Sequence, residues 1–205
     1  RDRLYRPNNQ YFIQNIDFKA EMKESINDFY LQSDILDATL TGNTRLNELD
    51  SAIVDHLDHY IQLPEYMISD KDFTFDFNLV MKKSEFFTDF LLDGLQEFQL
   101  DKCQLHYNDK DDILTAEIHI PKLQYEGIQL TDLNLDFDTK ADSAIADLQL
   151  SELNFNSISI DKIGVRSLFE MDHAKMTFYS KDEFDSLKYQ LIYNILLKDS
   201  LYHIS

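Results

Sequence analysis

The sequence predicts a mainly β chain: an elongated, curved antiparallel or mixed sheet built of repeats of about thirty residues, with one amphipathic helix and one short helical turn. Three observations lead there. Residues 98–105 (FQLDKCQL), 128–135 (IQLTDLNL) and 158–165 (ISIDKIGV) align without a gap, each offset from the last by 30. Further on, Leu114, Ala144 and Ala174 align, as do Ala116, Ala146 and Met176, and Ile118, Leu148 and Phe178. A fixed period of alternating apolar residues marks stacked β units that bury their apolar face only against one another. The second observation is a single change of period, at Leu46, Leu49, Ile53, Leu57, Tyr60 and Ile61, whose spacing by three and four is helical. The third is a change of parity inside each repeat. Ile128 and Leu130 are even, Leu133, Leu135 and Phe137 odd, Ala144, Ala146, Leu148 and Leu150 even, Leu153 and Phe155 odd.

In chain order, residues 1–43 read as strands. Ile16, Phe18 and Ala20 alternate, a turn is offered at 24–27, Phe29 and Leu31 alternate again, and Leu36, Ala38 and Leu40 lead to Gly42. Residues 44–63 hold the helix, with Asn43 or Thr44 as its cap and Pro64 beyond its end. Residues 70–92 give a strand carrying Phe73, Phe75, Phe77 and Leu79. A helical turn opened by Ser84 and Glu85 follows, with Phe86, Phe87, Phe90 and Leu91. Residues 93–205 carry the repeats and a last strand from Leu187 to Leu197, expected to pair with the strand at 174–178 before a turn at 198–200. All four stretches form one continuous domain.

A strand running straight from Leu130 to Leu133 would turn its apolar set outward. Thr131 and Asp132, like Asp101 with Lys102 and Asp161 with Lys162, are therefore expected to hold a bulge or corner that keeps the apolar residues on one side. Repeated corners curve a sheet into a gutter. Asn134, Asp136, Asp147, Gln149, Lys175 and Thr177 fall on the other, wet face, where Ile145 breaks the rule.

The 38 acidic residues against 19 basic give a formal charge of −19. That excludes a nucleic-acid binder, which needs a basic surface, and argues against docking flat on an anionic membrane. A charged outer face keeps an apolar-lined β protein soluble. The one cysteine, Cys103, allows no internal disulfide and matches Leu133 and Ile163 in the repeat, so it is expected to be a small buried hydrophobe. With 4 glycines and 3 prolines, turns fall to Asn, Asp, Ser and Lys, as at 108–112 and 138–142. The chain opens on Arg1, shows no secretory-signal pattern and no run near the roughly 18 apolar residues of a membrane span, and reads as an excerpt of a longer protein.

Taken in order, these pieces resemble the TamB-like proteins of the AsmA superfamily, in the form they take in Bacteroidetes-type bacteria. The likeness runs through the strand SDILDATLTG at 33–42, the helix from Leu46 to Ile61, the strand FTFDF at 73–77, the Phe86 and Phe87 turn, and the repeats, most typically YEGIQLTDLNL at 125–135. The resemblance implies a taco-shaped β-sheet with an apolar groove. The protein would be anchored in the inner membrane by a segment outside this chain and would cross the periplasm. It also implies phospholipid movement to the outer membrane, and outer-membrane protein assembly with a BamA-like barrel partner.

Catalytic and metal chemistry finds little footing, and neither an enzyme nor a cofactor is expected. His56 and His59, flanked by Asp55 and Asp58, have a spacing that holds metals but no third ligand, and read as a solvated helix face. Asp109, Asp111 and Asp112 lack the glycine and terminal Glu of a calcium loop and read as a solvated turn. His106 and His119 fall on the outer face. The expected occupant of the groove is a phospholipid acyl chain. Its expected lining begins with Phe98, Leu100 and Leu105, then Leu114, Ala116 and Ile118. Ile128, Leu130, Leu133, Leu135 and Phe137 continue it, followed by Ala146, Leu148, Leu150 and Phe155. Ile158, Ile160 and Phe178 complete it. A closed core in an assembly factor, or a carrier for one apolar ligand, would show the same alternation.

Overall fold

Alternation of period two puts every second side chain on one face of a strand, and most of this chain follows it. The computed structural model describes residues 13, 15–23, 26–43, 48–61, 72–88, 92–140, 142–171, 173–198 and 201–204. Three strands open the chain: β1 (Ile16–Lys23), β2 (Ile26–Ser33) and β3 (Leu36–Gly42). Helix α1 (Leu49–Ile61) and β4 (Thr74–Met81) follow, then a helical turn at 84–88. Next come β5 (Leu95–Gln99), β6 (Lys102–Asn108), β7 (Ile113–Tyr125), β8 (Ile128–Lys140), β9 (Ser143–Phe155) and β10 (Ile158–Glu170). The last are β11 (His173–Lys181), β12 (Leu187–Lys198) and β13 (Leu201–Ile204). Thr44, Leu46, Pro64, Phe90, Leu91 and the turn residues Glu24, Ser25, Asp199 and Ser200 lie outside the described residues.

The strands form one open antiparallel sheet, ordered β1-β2-β3-β4-β6-β7-β8-β9-β10-β11-β12-β13, with β5 also pairing β7. β5 and β6 keep one register on β7, Gln99 opposite Lys122 and Lys102 opposite His119, so they are one strand interrupted at Leu100 and Asp101. β12 pairs β11, as its alternation predicts. Asn43 is not a helix cap. Its side chain donates to the Asp72 carbonyl and accepts from the Thr74 amide, both at 2.7 Å, which ties the end of β3 to the start of β4.

The ladders correct one alignment. Leu114, Ala144 and Ala174 do share a row, through Thr139 and Phe169. Phe98, however, stands opposite Leu123, which stands opposite Leu130. Phe98 is thus level with Leu130 and Ile160, not with Ile128 and Ile158. Cys103 is likewise level with Leu135 and Val165 rather than Leu133 and Ile163. The cause is turn length. Asn108 pairs Ile113 across four residues, whereas Lys140 pairs Ser143 across two, and this displaces the first strand by two.

The parity breaks also fall in one row. Asp132 and Lys162 have left-handed backbones, with φ of 55° and 46°. Asp132 lies level with Pro121 and Ser151, between the paired residues Thr131 and Asn134. The register is identical on either side, so the break is a kink rather than a slipped bulge. On β7 to β10 the apolar set changes parity there: Ile120 to Leu123, Leu130 to Leu133, Leu150 to Leu153, Ile160 to Ile163.

Helix α1 lies across the strands. Ala52 packs in a buried cluster with Leu40, Phe73, Phe75, Tyr107 and Leu114, and Leu49, Ile53 and Leu57 pack against it. His56 and Tyr60 meet β8, and the helix also comes against β10. Thirteen residues span about 20 Å, close to the roughly 24 Å from β4 to β10 at the spacing of strands. Small residues beneath it, Ala144 and Ser167, leave room for close approach.

Gly42 marks another tight contact. A Cβ there would stand 2.1 Å from the Thr74 carbonyl oxygen and 2.7 Å from the Phe75 Cα, both backbone atoms. At Gly127, with φ of 85°, a Cβ would meet nothing within 4 Å. Gly42→Ala is therefore expected to cost roughly 2–3 kcal/mol through forced backbone movement. Gly127→Ala is expected to cost about 1 kcal/mol, from backbone conformation only. Urea denaturation of the two variants checks this, and equal midpoints would refute the close approach. Leu57→Ala should lower stability by roughly 1–3 kcal/mol in the same assay, since Leu57 is partly buried against the cluster. An unchanged midpoint would show that the helix does not rest on the sheet.

Candidate functional site

The candidate site is the apolar face of the sheet. One row crosses it from Leu79 on β4 through Cys103, Ile118, Leu135, Leu148, Val165 and Phe178 to Leu191 on β12. Two residues along the strands, Leu105, Ala116, Phe137, Ala146 and Ser167 form a parallel row. Leu105, Leu135 and Val165 therefore share one face, since residues two apart point the same way. On the other side of that row, Ile120, Leu133, Leu150 and Ile163 stand together. Past the kink, Phe98, Leu123, Leu130, Leu153 and Ile160 make one row, and Tyr125, Ile128, Phe155 and Ile158 the next.

Coverage divides these residues. Leu114, 3% exposed, lies within the cluster beneath the helix, and Leu105 and Phe137 are partly buried against it. Phe98 is half-buried and meets Phe87 of the helical turn, with ring centroids 6.0 Å apart. Leu100, Ala116, Ile118, Ile128, Leu130, Leu133, Leu135, Ala146, Leu148 and Leu150 are half-buried. Phe155, Ile158, Ile160 and Phe178 are exposed, Ile158 at 57%. The opposite face carries His119, Asn134 and Gln149 in one row. Ile145 has an apolar neighbour there, Leu168.

A polar anchor interrupts the apolar face under the helix. His56, 5% exposed, is not on a solvated face as its flanking aspartates suggest. Its Nε2 lies 2.8 Å from Thr139 Oγ1, and its Nδ1 3.3 Å from Asp112 Oδ1. Thr139 Oγ1 in turn accepts from the Leu114 amide at 2.7 Å. Tyr60 donates to the Lys140 carbonyl at 3.1 Å, and Tyr107 donates to Asp109 at 3.0 Å. The His56 ring stands edge-on to both tyrosines. Asp112 thus helps hold the helix in place while Asp109 holds Tyr107 beneath it, and of the three acidic turn residues only Asp111 is exposed. Burial draws the His56 pKa below the ordinary imidazole range, with Asp112 and Asp109 opposing and His59 assisting. Burial and Asp109 push the Tyr107 hydroxyl well above its ordinary range.

On the outer face His106 pairs with Asp76 at 2.8 Å, and His119 with Asp132 at 2.8 Å. Asp132 also accepts from Ser151 at 2.8 Å, and that bond, then His119, holds its carboxyl below the usual range. The aspartate sits between histidine and serine, so both bond to the carboxylate rather than to each other. Burial raises the Cys103 thiol, which is half-buried rather than fully buried. Among the described residues no group of three or more His, Cys, Asp or Glu is placed to hold a metal, and no helix is long and apolar enough to cross a membrane. No family model, curated protein or solved structure matches the chain.

The anchor makes two testable demands. Thr139→Val keeps the shape but strands the Leu114 amide and His56 Nε2, at an expected cost of about 1–3 kcal/mol in denaturation. Because the folded state holds His56 at a lowered pKa, the unfolded chain binds more protons as the medium turns acid. The stability it contributes is complete above the unfolded imidazole value of about 6.5 and is lost as pH falls from there through the lower folded value. His56→Gln should remove that part of the pH dependence. Identical pH profiles for variant and parent would count against a buried, neutral His56.

Proposed function

We propose that the uncovered part of the apolar face holds phospholipid acyl chains. The chain would then be a segment of a TamB-like, bridge-like lipid conduit. On this reading the kink row bends the strands so that the apolar sets on both sides face one concavity, and the thirty-residue units repeat it along a groove. Head groups stay in water while acyl chains lie on Leu, Ile and Phe. Each buried methylene contributes about 0.8 kcal/mol, and the contacts are non-directional, so a chain could slide without losing them together. The segment would lie in the periplasm between inner and outer membranes, and a BamA-like barrel remains the partner suggested by resemblance.

The observation that carries the reading is the row from Cys103 to Leu191. It crosses seven lateral positions without a charged residue, and its exposure rises away from the helix, to 37% at Phe178 and 53% at Leu191. An exposed apolar surface of this extent marks an interaction site in a soluble chain. A second reading, an assembly factor with a closed core, draws on the packing of Leu105, Leu114 and Phe137 under the helix.

Ile118→Arg and Leu135→Asp separate the two. In an open groove the charged side chain reaches water when no lipid is present, so the protein should fold, retain its β circular-dichroism signal and lose lipid seen by native mass spectrometry. In a closed core the unpaired charge costs several kcal/mol and the protein should unfold. Folded variants that carry as much lipid as the parent would end the conduit reading.

A further inference from the structure

We infer that the face takes lipids whose head group carries an amine and no net charge, phosphoethanolamine being the simplest, in preference to net-anionic head groups. This rests on the acyl-chain reading above and specifies its cargo. A lipid lying on the apolar rows brings its head group to water past the ends of the strands, so the charges at those ends meet it first.

At one end, the turn between β6 and β7 carries Asp109, Asp111 and Asp112, the turn between β8 and β9 carries Asp142, and β10 ends on Glu170. Lys110 and Lys140 are interspersed there, His173 lies 3.8 Å from Glu170, and Lys23 at the same end pairs with Glu21 at 3.0 Å. At the opposite end, Glu126 and Asp93 occupy neighbouring turns, joined by the Glu126 amide donating to the Gly94 carbonyl at 3.1 Å. The turn between β11 and β12 adds Asp182, Glu183 and Asp185. Of the lysines at this end, Lys82 is engaged by Asp37 at 2.6 Å, Lys83 by Asp34 at 2.8 Å and Lys162 by Asp185 at 2.8 Å, while Lys181 and Lys188 beside the last turn lie over the Tyr179 and Tyr189 rings, so acidic residues outnumber basic ones here. A net-anionic head group therefore meets carboxylates on either side. Phosphoethanolamine brings its own ammonium, which donates to carboxylates while its phosphate faces water. Interactions of this kind reach across about 8 Å at physiological ionic strength, comparable to the size of a head group.

The test incubates the purified chain with vesicles of equal phosphatidylethanolamine and phosphatidylglycerol with matched acyl chains, then reads bound lipid by native mass spectrometry. At low salt the bound ratio should favour phosphatidylethanolamine by about threefold or more, and the preference should shrink as salt is raised. A variant combining Asp111→Lys, Asp142→Lys and Glu126→Lys, all at exposed turn positions, should shift the ratio toward phosphatidylglycerol. Bound lipid at the vesicle ratio, enrichment in phosphatidylglycerol, or no shift in the variant would overturn this inference and leave the acyl-chain reading standing. No bound lipid of either kind would overturn both.

Discussion

A single β-sheet with one apolar face must find something to lay against that face, and here the described residues supply little. Twelve lateral positions at about 4.8 Å, with strands averaging roughly 30 Å, make a face near 1,700 Å². A helix about 20 Å long and 10 Å wide covers roughly a tenth of it. The aromatic turn adds a patch around Phe98. Exposure follows from this arithmetic: along the described strands it is lowest beneath the helix, at Tyr107 and Leu114, and high on β1 and on the stretch of β12 that β13 leaves unpaired. The uncovered area is a consequence of architecture rather than of one misplaced residue.

Where the helix sits is decided by polar groups as much as by apolar ones. Leu49, Ile53 and Leu57 would find apolar partners at many places along the face, because the rows resemble one another. His56 has partners at one place only among the described contacts, where Thr139 interrupts a row otherwise made of Phe75, Tyr107, Leu114 and Ala144. A buried polar pair of this kind adds little net energy but makes every displaced position costly, since each group would then be buried without a partner. Tyr60 on the Lys140 carbonyl fixes the other end. The apolar stripe provides attraction and the anchor selects the address.

Much of the architecture was readable because period two and period 3.6 leave different traces. The strands, the helix and even the row of parity changes at Asp132 and Lys162 follow from counting apolar positions. Three things did not follow. The gapless alignment hid a four-residue turn after Asn108 where its counterpart has two, because the loop and the strand compensate in length while the register does not. The burial of His56 does not follow either, because its neighbours Asp55 and Asp58 suggest a wet face. Yet it stands four residues from both Ala52 and Tyr60, inside the stripe once the small Ala52 is counted as apolar. The openness of the face was not legible at all, since a lining and a core share one alternation.

An uncovered apolar face poses a solubility problem, and the charge of the chain answers it in a particular way. The outer face is polar and the strand ends are acidic, so copies repel one another before their apolar faces meet. The margins are less protected: β1 exposes Ile16, Phe18 and Met22, and β12 exposes Leu187, Tyr189 and Leu191. An edge strand without inward charge or proline invites a further strand, and β1 and the stretch of β12 that β13 leaves unpaired present these residues on the face that the rest of the sheet uses, while Ile192 and Leu196 of β12 are exposed on the other. Charge suppresses face-to-face association while leaving the sheet able to continue sideways. On the proposed reading, that combination suits a surface that is extended along its length and kept open across it.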